Sequence, residues 1–135
     1  MANICYEDNI QLIHISTDYV FEGNQNKIYN ENDITNPISY YGKTKLDGEY
    51  SILKYNLKNS IILRTSWLYS EYENNFVSKI LNGFIKRSEV QVVSDEVGSP
   101  TNSLDLAKTI LDIIPKIKNN QTEIYHFSNI GYCSR

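Results

Sequence analysis

The chain has no excess of basic charge: 13 Lys and Arg against 16 Asp and Glu give a formal net charge of -3. No basic stretch offers a face for nucleic acid or for an anionic membrane. No apolar run approaches the ~20 residues of a membrane span, and the opening MANICYEDN does not have the pattern of a secretory leader. The only two cysteines, Cys5 and Cys133, lie at opposite ends, without a CxxC and without clustering near His14 or His126. That excludes both a zinc site and a disulfide scaffold, leaves no metal-ligand set, and fits a reducing cytoplasm. Glycine is sparse, and Gly23, Gly42, Gly48, Gly83, Gly98 and Gly131 form no GxGxxG, so there is no glycine-rich loop to cradle a phosphate on a helix N-terminus. Alanine (2) and proline (3) are scarce while Ile, Asn, Tyr and Lys abound. This composition reflects codon bias, and its surplus of Tyr and Lys inflates chance motif matches.

What is present is a single α/β pattern over 135 residues, a length suited to one domain. Residues 1–7 read as the last turns of a helix, and 11–17 (QLIHIST) as a buried strand. A polar stretch over 18–39 reads as a long loop, of a length that is often functional. Residues 40–57 predict a helix with Leu46, Tyr50, Leu53 and Leu57 on one face. Strand 60–65 (SIILRT) follows, then helix 74–87 with an apolar stripe of Phe76, Val77, Ile80, Leu81, Phe84 and Ile85. A short strand at 90–93 leads into a turn over 95–101, punctuated by Gly98 and Pro100. Helix 103–117 should turn Leu104, Ala107, Ile110, Leu111 and Ile114 inward, with Pro115 favouring termination. Strand 123–128 (EIYHFS) completes the set. Alternating strands and helices imply parallel βαβ units. A sheet begun at Gln11 leaves a hydrophobic strand edge to be covered, so the chain reads as a piece of a larger α/β protein or as one completed by a partner.

Tyr41 and Lys45 stand four apart at a helix start, on one face. A phenol is a poor proton donor at neutral pH, with a pKa near 10. An ammonium about 4 Å away, at an effective dielectric of about 20, favours the phenolate by about 4 kcal/mol. That pairing suits carbonyl reduction, in which hydride arrives from a nicotinamide and a tyrosine protonates the new alkoxide. Spacing alone is weak, because 11 Tyr in 135 residues with abundant Lys give about 0.8 such matches by chance; Tyr50 and Lys54 also match and read as structural. Context is stronger. Ser16 and Thr17 close the first strand, at the carboxyl edge where α/β sheets bind ligands, and a hydroxyl there can polarise a substrate carbonyl. Trp67 follows the second strand at the same rim. His14 and His126, mid-strand, read as hydrogen-bonded core residues, and Asp105 complements the dipole of its helix.

STDYVFEG at 16–23, NPISYYGKTKLDGE at 36–49, ILRTSWLY at 62–69 and VSDEVGSPT at 93–101 together resemble the dTDP-4-dehydrorhamnose reductase family of extended short-chain dehydrogenase/reductases. The resemblance covers nearly the whole chain. It implies a partial Rossmann-like, doubly wound parallel sheet: the C-terminal half of a nucleotide-binding domain with part of a substrate lobe, here a single partial domain over 1–135. It further implies NADPH- or NADH-dependent reduction of the 4-keto group of dTDP-4-dehydro-L-rhamnose, with Mg2+ not readable from these residues. Tyr41 would be the catalytic acid, Lys45 would bind the nicotinamide ribose and favour loss of the tyrosine proton, and Thr17 would meet the substrate carbonyl. Ser16 would border the cofactor, while Asp18 and Trp67 would contact the dTDP-sugar. Glu96 stands where the family usually has Gln. Family members run to about twice this length or more, and their glycine-rich loop has no counterpart here. The isolated chain is therefore expected to be a fragment of weak or no activity, completed by a homodimer partner or a separately encoded N-terminal half. The alternative is a non-catalytic interaction module related to the regulatory subunit of methionine adenosyltransferase.

Overall fold

The computed structural model describes residues 1–23, 27–72, 75–86 and 89–135. They divide into two compact units, Met1–Thr65 with Ile113–Phe127, and Ser66–Asp112 with Ser128–Arg135, where the sequence read as one continuous pattern. Each unit is described by itself.

In the first unit, helix α1 (Ala2–Glu7) precedes strand β1 (Ile13–Thr17), a 3-10 turn (Asp18–Val20), helix α2 (Tyr40–Leu53) and strand β2 (Ile61–Thr65). The third strand of its sheet comes late in the chain, at Glu123–Phe127. All pairings are parallel in the order β1, β2, third strand, with Ile13 opposite Ile61 and Ile61 opposite Glu123. The central position of β2 explains why all five of its residues are buried, since both of its faces are covered. Ile62 joins Cys5, Ile52 and Leu57 in one core cluster, and Val20, Phe21 and Leu46 form another, with Tyr29 against it. Among the described residues, β1 pairs on one side only, so the open edge anticipated from the sequence is present.

Helix α2 starts where a serine caps it: Ser39 Oγ accepts from the Gly42 N–H at 3.0 Å. Gly42 is required there, because an added Cβ would stand 2.2 Å from the Tyr19 carbonyl oxygen. The helix ends at Leu53 and not at Leu57, because Asn56 adopts a left-handed conformation (φ 47°) that breaks the turn. The buried stripe of α2 is Gly42, Leu46, Glu49 and Ile52. Tyr50, placed on that stripe by its spacing, is instead 54% exposed, with its hydroxyl 3.3 Å from Thr35 Oγ1. The helical face runs through a carboxylate, which spacing rules for apolar residues pass over.

In the second unit, strand β3 (Leu68–Tyr69) is followed by helix α3 (Phe76–Lys86), strands β4 (Val97–Gly98) and β5 (Thr101–Asn102) and helix α4 (Ser103–Ile113). The first unit's third strand, β6 (Glu123–Phe127), comes next, and β7 (Cys133–Ser134) closes the chain. Here β3 pairs with β5 in parallel and β4 with β7 antiparallel. Residues 74 and 87 of the expected helix lie outside the described residues. The apolar stripe of α3 is present, yet none of its residues is buried. No strand forms over 90–93: a strand needs a ladder partner for its backbone groups, and Val90 rests instead on Gly83, where an added Cβ would lie 2.8 Å from the valine. In α4 the buried residue is Leu106, while Leu104, Ala107 and Leu111 are exposed. Back in the first unit, Pro115 falls in the 3-10 turn Ile114–Lys116; Ile114, expected to face inward, is exposed.

Candidate active site

Thr17 ends β1 with its side chain buried. Its Oγ1 donates to Asp18 Oδ1 at 3.1 Å and accepts from the Tyr19 N–H at 3.2 Å, capping the 3-10 turn. This turn delivers Tyr19 edge-on to Tyr41, with ring centroids 5.8 Å apart and planes at 78°, a favourable aromatic geometry. Tyr41 is 55% exposed. One turn further along α2, the Lys45 ammonium donates to the Ile15 carbonyl at 2.6 Å. Ser16 is buried and donates its hydroxyl to Glu49 Oε1 at 2.5 Å. The first unit thus brings Ser16, Thr17, Asp18, Tyr41 and Lys45 to the junction between the carboxyl end of β1 and the first turns of α2.

Glu49 was not singled out by sequence reasoning, and neither was Arg64. They form a buried ion pair: Arg64 donates from Nη2 to Oε2 at 2.7 Å and from Nε to Oε1 at 3.0 Å. Arg64 Nη1 also donates to the Glu31 carbonyl at 3.4 Å, and its guanidinium lies 5.2 Å from the Phe21 ring centre. The available signal was an arginine inside an otherwise apolar run, SIILRT, which requires a buried partner.

The two histidines differ. His126 is hydrogen-bonded as expected: Nδ1 stands 3.2 Å from the Tyr29 carbonyl, and the backbone N–H donates to Glu31 at 2.9 Å. His14 departs from expectation, because its buried Nε2 has no hydrogen-bond partner among the described residues. Burial holds His14 below its ordinary value of 6.5, and the Lys45 charge adds to this while Glu49 opposes it. Burial also lowers His126, assisted by Arg64 and opposed by Glu31. Glu31 is itself lowered by backbone N–H donors.

Histidines with depressed pKa values stay neutral in the fold while the unfolded chain takes up protons. Their contribution to stability is complete above pH 6.5 and is lost as pH falls through the folded values. Glu31 adds a second loss below its ordinary 4.5. A series of melting temperatures at decreasing pH should therefore decline in two stages, and His126→Gln should flatten the first. A melting temperature that stays level below pH 6.5 would contradict this account.

In the second unit, Trp67 is half-buried with φ at 44°. Gly98 lies against its ring, where an added Cβ would come within 2.5 Å. The Arg135 guanidinium lies 4.7 Å from the Trp67 ring centre and 4.7 Å from that of Phe76, and Arg135 pairs with Glu96 at 2.5 Å. Asp105, expected only to complement its helix, also accepts from Asn129 Nδ2 at 2.8 Å.

A parallel sheet flanked by helices, with hydroxyls at a strand's carboxyl end beside a Tyr-x-x-x-Lys helix, defines a Rossmann-like α/β protein. The chain belongs to the RmlD substrate binding domain family, which it matches over residues 1–135. It is 43% identical over 131 residues to the dTDP-4-dehydrorhamnose reductase of Aggregatibacter actinomycetemcomitans, covering 95% of this chain and 44% of that protein. Among solved structures it is similar to the dTDP-4-dehydrorhamnose reductase of Bacillus anthracis in complex with NADP, with a TM-score of 0.88 and 40% identity over 98% of this chain and 46% of that one. The dTDP-glucose 4,6-dehydratase of the same organism, at 17% identity and a TM-score of 0.87 over 98% of this chain and 45% of that one, shares the fold. The chain spans somewhat under half the length of these relatives. The resemblance read from the four motifs is borne out, as is the Rossmann-like fold.

Proposed function

We propose that the chain carries the tyrosine–lysine portion of a cytoplasmic, NADPH- or NADH-dependent reductase acting on the 4-keto group of dTDP-4-dehydro-L-rhamnose. The observation that carries the reading is the convergence of Thr17, Tyr41 and Lys45 at one strand–helix junction, in a chain similar to named reductases. That similarity favours the enzyme over the regulatory-module alternative. Among the described residues, no helix is long and apolar enough to cross a membrane.

The residues present fit the nicotinamide-ribose end of a dinucleotide: an exposed phenol, and an ammonium already held by the Ile15 carbonyl of a parallel strand. The sequence has no glycine-rich loop for the pyrophosphate. When bound, the cofactor supplies a hydride to the carbonyl carbon. Thr17 orients the carbonyl oxygen, and Asp18, its hydroxyl's partner, borders the sugar. Tyr41 gives its proton to the oxygen as the C=O bond becomes C–O–H, and Lys45 stabilises the phenolate left behind. Ser16 lines the cofactor side, and Trp67 contacts the nucleotide-sugar. Among the described residues β1 pairs on one side only, and a further strand along that edge would extend the sheet.

Titration of the chain with NADPH, followed by nicotinamide fluorescence, tests the cofactor assignment. Saturable binding in the submillimolar range is expected, weakened about tenfold by Lys45→Met, the equivalent of about 1.4 kcal/mol. Absence of saturation at millimolar NADPH would take cofactor binding away from this chain.

A further inference from the structure

Glu49 lies four residues past Lys45 on α2 and has 0% exposure. A buried carboxylate is costly unless every lone pair is answered, and here the answers come from two strands. Ser16 Oγ and Arg64 Nε both donate to Oε1, and Arg64 Nη2 donates to Oε2. Ser16 and Arg64 are also opposite each other in the β1–β2 ladder. Consecutive residues of β1 are thus tied to consecutive turns of α2: the Ile15 carbonyl to Lys45, and the Ser16 hydroxyl to Glu49. The next residue along β1 is Thr17. A Glu and a Lys four apart on a helix can pair with each other, but Arg64 occupies both oxygens of Glu49, and the Lys45 ammonium goes to β1 instead.

We propose that Glu49 is a positioning residue of the reductase site: through Ser16 and Arg64 it clamps the carboxyl end of β1 onto α2 and sets Thr17 relative to Tyr41 and Lys45. This rests on the functional reading above. It differs from a simple core ion pair in what it predicts for Ser16, whose hydroxyl can be removed while the pair stays intact.

The test uses Ser16→Ala and Glu49→Gln in the 135-residue chain, read by amide hydrogen exchange and by the ring resonances of isotope-labelled tyrosine. In Ser16→Ala, the Tyr19 amide, which donates to Thr17 Oγ1, should exchange about tenfold faster relative to Ile62 and Leu63 in the central strand, the worth of one charge-assisted hydrogen bond. The Tyr41 ring signal should shift with it. Glu49→Gln should show the same local change together with a lower melting temperature. Exchange that quickens by one common factor throughout the unit would mark a stabilising ion pair only and overturn the proposal. So would a Ser16→Ala variant with unchanged Tyr19 and Tyr41. These readouts need no turnover: if Tyr41→Phe retained reductase activity, the functional reading would fail while the clamp could still be seen or refuted.

Discussion

Tyr41→Phe should lower the rate of NADPH-dependent keto-sugar reduction by roughly 10²- to 10⁴-fold, the range by which a positioned proton donor accelerates such a step. The substitution removes one oxygen from a ring that is more than half exposed and keeps the ring that meets Tyr19 edge-on. Folding should therefore be unaffected, and the melting temperature should match that of the parent chain. Substrate binding should change little, because the lost interaction matters chiefly as charge develops on the reacting oxygen. The assay is run on a chimera in which residues 1–135 replace the matched segment of the 40%-identical reductase. A chimera that turns over equally well with phenylalanine at position 41 would remove Tyr41 from the chemistry.

Arg64→Met should destabilise the first unit by roughly 3–5 kcal/mol. Arg64 is 4% exposed and Glu49 0%, so the substitution leaves a carboxylate buried with only the Ser16 hydroxyl to answer it. The same change removes the guanidinium's bond to the Glu31 carbonyl and its stacking on Phe21. Since a domain of this size has a total stability of about 5–15 kcal/mol, the loss is a large fraction of the whole and should appear directly in chemical denaturation. The double variant Arg64→Met with Glu49→Leu should recover much of it, because replacing both charges by apolar side chains takes away the uncompensated one. A single variant that costs less than about 1 kcal/mol would show that the pair is hydrated and not buried.

These two predictions lie at opposite ends of what the amino-acid order makes legible. Tyr41, Lys45, Thr17 and Asp18 were readable because short motifs carry them, and all four lie near the meeting of β1 with the first turns of α2. QLIHIST and SIILRT were readable as strands because they are largely apolar runs of strand length, rich in β-branched residues, and EIYHFS because it gathers isoleucine and aromatic residues over a strand's length. Arg64 and Glu49 escaped notice because a charged residue in an apolar pattern is ordinarily taken as an interruption; its partner lies in another element, and only the fold brings them together. The valines at 90–93 failed for the converse reason: their composition suits a strand, but among the described residues no strand pairs with them. The inward face of α4 was misjudged because its periodicity allows Leu104 or Leu106 to lead, and burial depends on neighbours that local sequence does not name. Glu96 shows the same dependence, since its ion pair with Arg135 spans nearly forty residues of chain.

The parallel ladder also governs how the first unit is reached in time. Pairing Ile13 with Ile61 and Arg64 with His126 closes loops of 48 and 62 residues, whereas α2 forms its backbone bonds between near neighbours. Loop closure is an entropic toll that must be met before such distant contacts return anything, and chains dominated by them fold slowly. Helix α2, started by Ser39, can gather early; the central strand must then close on a partner made about fifty residues before it and wait for another about sixty residues after it. During that interval β2 is an apolar ribbon with two unclaimed edges, and the same strand that later anchors the core is the segment most exposed to pairing with another molecule.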